Sequence, residues 1–498
     1  MMHWIAGGSP IGWFDYAEAA VWLSAMLWIA LRAGKLAVGT TDDFFLASRR
    51  IPTAAACIAF IATETSALTI IGVPAVAFRE NWNYLQFFIG SAAARVVIAY
   101  LFIPAFYRRR YQTIYGYLRE RFGPWTQHAA SLIFFVTRFM ASGVRLMAAA
   151  VAVSVFLGFP LPPVLMVMVV ASLLYTAWGG VRAVVWANVL QGSVFVGAGV
   201  ASLAFLISHI PGGTGTILSL GKSAGRLELF RLGPTWGSPG FLKRFFLDPN
   251  ILWIAVINGF IGSLAAFGTD HEMMQKLLTV ETRAKSQKTM LAATAGSFAV
   301  LVLFLSIGTA LFAFYQEHRA LALPARLDAI YPHFAKAVMP GPLRALVLSA
   351  ILLVSFDLPL SSLSAVFVND LYRPLGNGEA TEEHYMRVSR AAVIVSAGLL
   401  AALAYGFSFF DRMLWLAFKI TGVTLGSLLG VYLLGFLTQR RGDRANAAAM
   451  GLMATANACI LYALERSGLP LGWSWLVVIG TLGTFGLAWA LSPWLDGP

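Results

Sequence analysis

A polar segment that ends in proline, set inside an apolar run, decides how this sequence folds. Residues 62–74 read ATETSALTIIGVP and bring Thr63, Glu64 and Thr65 together within an otherwise hydrophobic stretch. Hydroxyl side chains compete for backbone hydrogen bonds, and Pro74 removes one such bond and clashes one turn back. We therefore predict a broken or partly unwound helix here.

The rest of the 498-residue chain is suited to lipid, since it is 58% hydrophobic and only 12% charged. Its apolar runs are continuous and about 20 residues long, which favours helices over a transmembrane barrel. We therefore predict an all-α integral membrane protein with about thirteen transmembrane helices. The predicted spans are 13–32, 52–78, 82–107, 127–157, 161–179, 185–209, 250–277, 288–315, 342–372, 387–411, 414–438, 445–465 and 472–492.

The longest polar stretch divides the predicted spans into two halves of five. Residues 210–249 open with Pro-Gly-Gly and hold further prolines and glycines, which are typical of a loop. Because five is odd, the halves cross the membrane in opposite directions, which is the topology of an inverted repeat. The chain is thus one transmembrane domain, 1–498, with an extra N-terminal helix at 13–32, a first core repeat at 52–209, an extracytoplasmic loop at 210–249, a second core repeat at 250–438 and two C-terminal helices at 445–492.

A second interrupted segment opens the second half, as 62–74 opens the first. Small and polar residues break the apolar run of the seventh predicted span: Gly262, Ser263, Gly268, Thr269 and Asp270. Carbonyls and helix ends freed by such breaks can coordinate a cation and hold a solute. The alternative is a pair of ordinary helix kinks packed by small residues.

The net charge of +13 reports membrane topology, because the basic residues are spread over loops and are not gathered in one soluble domain. They concentrate in alternate connections, for example at Arg49, Arg108, Lys276, Arg373 and Arg440. We predict a multi-pass protein of the cell's inner (plasma) membrane, with the N-terminus outside and the C-terminus in the cytoplasm. The distribution gives no support for nucleic acid as a partner.

Other classes of function find little support in the sequence. The sequence lacks an HExxH, GxSxG or paired-aspartate signature, so we predict neither an enzyme nor a bound cofactor. A transporter-like membrane sensor without net transport remains the alternative. The last predicted span lies close to Pro498, however, which leaves no length for an output domain.

Five ordered motifs carry a resemblance to a known family. They are DDFFLASRRIP (42–52), ATETSALTIIGVP (62–74), YTAWGGVRAVVWANVLQ (175–191), GTDHEMMQKLL (268–278) and SSLSAVFVNDLY (361–372). Between about Asp43 and Arg441 the chain resembles the sodium:solute symporters, a family that includes bacterial proline, sugar and sialic acid symporters. The resemblance implies a LeuT-type core of ten helices in two inverted repeats, and transport of a small solute coupled to sodium.

The resemblance also implies one sodium site, between the first and eighth core helices. Its ligands would be the carbonyls of Ala62 and Thr65 and two adjacent hydroxyl residues on the eighth helix. Here those two positions read Val354 and Ser355, so one oxygen ligand is missing. The position that provides a second sodium site in some members is Asn188 rather than aspartate, which favours a single coupling ion.

Two carboxylates are expected to compensate for the missing hydroxyl. Glu64 lies beside the predicted carbonyl ligands, and Asp357 follows Ser355 by two residues. A hard cation such as sodium prefers oxygen donors, and a carboxylate could instead take a proton. Sodium is therefore the expected coupling ion, with a proton as the variant.

Basic residues within the predicted spans are candidates for binding the transported solute. Arg138 and Arg145 lie two helical turns apart and so share a face. Either of them receives an anionic solute, or it forms an internal salt bridge with Glu64, Asp270 or Asp357. The candidate solute contacts are Thr69, Gln86, Ser263 and Arg145.

Overall fold

The computed structural model describes residues 12–35, 39–65, 67–157, 159–324, 327–376, 380–409, 413–467 and 471–497. Within these ranges the chain forms helices and no β-strand, as predicted. The helices up to the central polar stretch are α1 (Trp13–Lys35), α2 (Thr41–Leu46), α3 (Thr53–Glu64), α4 (Ala67–Arg79), α5 (Tyr84–Val97), α6 (Ile103–Arg108), α7 (Tyr115–Arg121), α8 (Pro124–Leu157) and α9 (Leu161–His209).

The remaining helices continue the same pattern of long, apolar elements and short connections. They are α10 (Gly213–Ser223), α11 (Phe241–Leu247), α12 (Leu252–Ser263), α13 (His271–Leu278), α14 (Arg283–Glu317), α15 (Ile330–Val338), α16 (Gly341–Val354), α17 (Leu360–Val366), α18 (Arg373–Leu375), α19 (Glu382–Phe407), α20 (Met413–Leu437), α21 (Asp443–Ser467) and α22 (Trp475–Leu495). Three π-helical segments, at 98–102, 264–268 and 367–372, directly continue α5, α12 and α17.

Nine helices of the described residues are long and apolar enough to cross a membrane, or ten if one bent pair is counted as a single span. The predicted count of thirteen is therefore not confirmed. Four shorter apolar helices overlap four other predicted spans, at Thr69–Arg79, Leu161–Leu174, Gly341–Val354 and Thr421–Leu437. The pieces of a broken span are each shorter than the thickness of the membrane. A count based on helix length alone therefore misses such spans.

Both predicted interruptions are present. Helix α3 ends at Glu64, and Thr65 has the extended dihedrals φ −84° and ψ 107° before α4 begins. In the second half, Asp270 has φ −96° and ψ 123° between the π-helical segment and α13. The Asp270 side chain accepts hydrogen bonds from the backbone N–H groups of Glu272 and Met273, so it caps the new helix.

A third interruption was not expected from the sequence. The predicted span 342–372 is not continuous, since α16 ends at Val354 and α17 begins only at Leu360. The sequence between them ends in Leu358-Pro359, and proline disfavours helical dihedrals in the residue before it. Ser355 and Asp357 consequently lie at a helix end inside the membrane protein.

The stretch 210–249, predicted to be a loop, contains two short helices, α10 and α11. Left-handed glycines precede both: Gly212 has φ 78° and Gly240 has φ 71°. The glycines that favoured a loop in the sequence therefore lie at the N-termini of two short helices.

Helices α5 and α12, from opposite halves, meet at two glycines. A Cβ atom at Gly90 would lie 2.0 Å from the Val256 carbonyl oxygen, and a Cβ at Gly259 would lie 2.1 Å from the Phe87 carbonyl oxygen. Real side chains do not approach backbone so closely. Only glycine at both positions allows this backbone contact.

We expect Gly90→Ala to destabilise the protein by at least about 2 kcal/mol, because the added methyl group must push the two helices apart. The control is Gly398→Ala in α19, where a Cβ atom meets no other atom within 4 Å. Alanine is the better helix former, so this change is neutral or slightly stabilising. Thermal unfolding in detergent compares the two variants, and equal midpoints would contradict the tight contact.

Candidate cation and solute site

A small polar cavity lies where the three helix breaks meet. Its volume is about 30 Å³, which is room for a small ion or for water but not for an organic solute. It is lined by Thr63, Thr65, Ser142, Arg145, Leu146, Ala149, Glu272, Val354, Ser355, Asp357 and Leu358. Broken helices thus supply oxygen-bearing groups to one site inside the protein.

The first break lies beside this cavity, since Thr63 and Thr65 line it. Thr65 donates its N–H to the Ile61 carbonyl at 2.9 Å, which completes the last turn of α3. Beyond it the helical hydrogen-bond ladder stops, because Thr65 is extended. Across the cavity, Ser355 donates its hydroxyl to the Ile351 carbonyl at 2.6 Å and keeps its oxygen lone pairs available.

Asp357 is fixed by polar neighbours on two other helices. With its amide nitrogen turned towards the carboxylate, Asn188 of α9 donates to Asp357 Oδ1 at 3.2 Å. The amide oxygen then accepts the Thr63 hydroxyl hydrogen bond at 2.8 Å. In this orientation the amide nitrogen donates to the Asp357 carboxylate, and the amide oxygen is an acceptor. The aspartate is therefore held at the cavity wall by α3 and α9.

Arg138 is fully engaged by carboxylates on the other side of the second break. Its Nε donates to Asp270 Oδ2 at 2.7 Å, and its Nη2 lies 2.5 Å from Asp270 Oδ1. Its Nη1 lies 2.5 Å from Glu272 Oε2, and Lys276 Nζ lies 3.9 Å from Glu272 Oε1. For Arg138, the structure therefore selects the internal salt bridge from the two predicted alternatives.

Arg145 differs from Arg138 because it lines the cavity and has no ion-pair partner among the described residues. Among the described residues no carboxylate lies within 4.0 Å of its guanidinium, and none accepts a hydrogen bond from it. Glu272 and Asp357 line the same cavity. An arginine that faces a polar cavity unpaired can receive an anion.

The predicted cation ligands are partly brought together. Thr65, Ser355 and Asp357 line the cavity. Ala62 is buried one turn earlier in α3, where it packs against Gly192 of α9. Glu64 is directed elsewhere: its carboxylate forms an ion pair with Arg95 and accepts the Ser297 hydroxyl at 2.6 Å.

Of the four predicted solute contacts, only Arg145 lines the cavity. Gln86 donates to the carbonyls of Asn83 and Asn250 and accepts from the Arg231 backbone N–H, so it joins α5 to the segment before α12. Ser263 donates to the Ser91 hydroxyl at 2.7 Å between α12 and α5. Thr69 is half-buried in α4 and is not among the lining residues.

Three polar lining residues were not predicted from the sequence as site residues: Glu272, Thr63 and Ser142. Glu272 carried a usable signal, since it is an acidic residue two positions after Asp270, directly beyond a helix break in a membrane span. Ser142 carried no such signal, because a serine within an apolar helix can hydrogen-bond to its own helix backbone instead of lining a site.

Several sodium-coupled transporters resemble this chain over most of its length. It is 25% identical over 95% of its length to the sodium/sialic acid symporter SiaT of Proteus mirabilis, covering 93% of that protein. It is 25% identical over 89% of its length to the sodium/sialic acid symporter NanT of Aliivibrio fischeri, covering 86% of that protein. The human sodium-coupled monocarboxylate transporter 1 is 25% identical over 80% of the chain, which spans 64% of that transporter.

The fold matches a solved structure of a Na⁺-coupled sialic acid symporter in a substrate-bound, outward-open state. The TM-score is 0.83 at 22% identity, and the match covers 97% of this chain and 98% of the other. The model of the sodium:solute symporter family matches residues 44–454. This chain therefore belongs to the sodium:solute symporter family.

Proposed function

We propose that this protein imports a small organic solute into the cell by alternating access, with sodium as the coupling ion. Membership of the family and the sodium-coupled relatives support this function. The observation that carries it is the small cavity at three helix breaks, lined by Thr65, Ser355 and Asp357. Interrupted helices of this kind place ion and solute sites near the middle of the bilayer.

The proposed cation site uses the carbonyls of Ala62 and Thr65 and the Ser355 hydroxyl, with Asp357 in place of the missing second hydroxyl. Sodium prefers oxygen ligands, and a carboxylate adds charge that a hydroxyl does not. Glu64 acts indirectly, because Arg95 and Ser297 already occupy its carboxylate. In the proton-coupled variant, Asp357 would carry the proton.

Binding at this site couples the ion to the conformation of the transporter. A cation between Thr65 and Ser355 holds α3 against α16, which favours the state that accepts solute. An ion drives uptake only as far as it binds that state better than the other. The solute enters when the cavity widens, and Arg145 is its first contact, with Thr69, Gln86 and Ser263 further away.

We place the protein in the plasma membrane as a multi-pass transporter, with the N-terminus outside and the C-terminus in the cytoplasm. The apolar helices and the family support the membrane assignment. The orientation rests on the basic connections, which are expected to remain in the cytoplasm. The extracytoplasmic side then carries residues 210–249.

Sodium alone should stabilise the purified protein. At about one hundred times its Kd it would raise the free energy of unfolding by about 2.7 kcal/mol, since only the folded state binds it. Asp357→Asn should lose most of this effect, as it removes the charged ligand. Asp370→Asn is the matched control: it removes a buried carboxylate that bonds Thr113 and Gln127 away from the cavity. Thermal shifts in sodium against choline chloride measure the response, and an undiminished response in Asp357→Asn would exclude the aspartate as a ligand.

Restoring the missing hydroxyl should tighten sodium binding. We expect Val354→Ser to lower the sodium concentration for half-maximal stabilisation about fivefold, which corresponds to roughly 1 kcal/mol for one added polar contact. Val347→Ser, in the same helix but away from the cavity, should lower stability without changing sodium affinity. If both variants have the affinity of the parent protein, Val354 does not face the ion.

Transport itself is tested in proteoliposomes. A thermal-shift screen of amino acids, sugars, organic acids and vitamins, each with and without sodium, first identifies a radiolabelled solute. Uptake of that solute should follow an imposed inward sodium gradient and not a proton gradient. Uptake that ignores both gradients would contradict coupling, and sodium-dependent binding without uptake would indicate a sensor.

A further inference from the structure

A second cavity shares no residue with the proposed cation site. Its volume is about 550 Å³, which is in the range of small-ligand sites. Three parts of the chain form its walls: the connection between α2 and α3, the segment after α6, and the residues around the start of α14. The cavity is thus built where connections between helices converge.

The charged residues on its wall are mostly basic. Four are positive and two are negative in their ordinary states at neutral pH, so the wall has an excess of two positive charges. They are Arg49, Arg50, Arg110, Lys285, Asp42 and Glu281. A concave surface with this excess attracts anions.

Two of the four basic residues are bound to groups of the protein itself. Arg49 is buried, and its Nη1 and Nη2 donate to the carbonyls of Leu278 and Tyr111 at 3.3 and 3.0 Å. Arg49 therefore ties together the three parts of the chain that form the walls. Lys285 forms an ion pair with Glu281, one helical turn away.

Arg50 and Arg110 are the basic residues that remain for a ligand. Both are exposed, and among the described residues neither has a carboxylate within 4.0 Å of its guanidinium. They belong to different walls, since Arg50 precedes α3 and Arg110 follows the end of α6 by two residues. An anion in the cavity can therefore contact two arginines from separate helices.

The start of α3 adds backbone donors to this pair of arginines. Pro52 and Thr53 line the cavity, and the N-cap residue Pro52 makes no side-chain capping hydrogen bond. The first N–H groups of a helix have no partner within the helix and favour an anion. Guanidinium groups match phosphate oxygens through paired N–H donors. The donor set therefore suits a phosphate group.

The cavity lies at the edge of the apolar spans. Arg110 comes two residues after the candidate span Tyr84–Arg108, and Lys285 lies in the first turn of the candidate span Arg283–Glu317. Basic pockets between membrane helices at this depth can reach lipid headgroups. In the proposed orientation this edge faces the cytoplasm.

We propose that this cavity binds a phosphate dianion through Arg50 and Arg110, as the headgroup of an anionic phospholipid or as a soluble phosphate. The excess of two positive charges matches a phosphate monoester, which carries about two negative charges at neutral pH. A phosphate bound to both arginines joins the start of α3 to the end of α6. The coupling cation takes no part in this site, so a failure here leaves the proposed function untouched.

The first test measures phosphate binding in the absence of sodium. Potassium phosphate should raise the unfolding temperature of the protein in detergent, and potassium acetate of equal ionic strength should not. A second arm compares nanodiscs of phosphatidylcholine with nanodiscs that also contain phosphatidic acid, whose headgroup is a phosphate monoester. A shift in one arm alone identifies the source of the phosphate. The absence of a phosphate-specific shift in both arms overturns the proposal.

The second test isolates the two arginines. Arg50→Gln and Arg110→Gln should each weaken the binding of inorganic phosphate, or of phosphatidic acid where that is the source, by about tenfold, because each removes a charge-assisted contact. Arg109→Gln is the matched control, since this exposed neighbour pairs with Glu120 and does not line the cavity. It should bind as the parent does. Equal affinities in all three variants would show no more than general charge attraction and overturn the site.

The third test changes the wall charge in the opposite direction. Glu281→Gln removes a negative charge and the partner of Lys285, so it should tighten phosphate binding about threefold. Glu383→Gln is the matched control, because Glu383 forms the same type of exposed pair, with Arg387, outside the cavity. It should leave the affinity unchanged. Unchanged or weaker binding in Glu281→Gln would show that the wall charge does not attract the phosphate, and it would overturn the proposal.

Discussion

The constraint on which this structure depends is that a backbone group in lipid must find its hydrogen-bond partner within the protein. Intact helices meet this requirement on their own, so they can face lipid. A broken helix cannot satisfy all of its own backbone groups. Its free carbonyl and N–H groups are stable only where other polar groups or an ion bind them. The breaks after Glu64, before His271 and after Val354 therefore lie together around one interior cavity.

The same constraint explains which features could be predicted from the sequence. Apolar runs and the hydroxyl-rich segment 62–74 have local causes, so the helical class and the break at Thr65 could be predicted. Thr65 and Ser355 could be proposed as cation ligands because family motifs carry them, and both line the cavity. The break after Val354 was missed, because Asp357 was considered only as a ligand and Leu358-Pro359 was not treated as a helix breaker.

The contacts of individual side chains could not be predicted in the same way. Glu64 was expected beside the cation, but Arg95 on α5 competes for its carboxylate, and only the packed structure brings the two together. Gln86 and Ser263 were expected to contact solute, yet they satisfy backbone and side-chain groups between helices. A polar residue in a membrane span has several ways to be satisfied, and sequence alone does not choose among them.

The glycine contact between α5 and α12 has a mechanical consequence. The Gly90 and Gly259 positions bring two backbones together with no side chain between them, and the π-helical segments that follow continue both helices without a gap. Two rods joined so closely cannot slide or roll against each other without a collision of main-chain atoms. The two helices are therefore held as one rigid unit, and the extended backbone at Thr65 and Asp270 lies outside this unit.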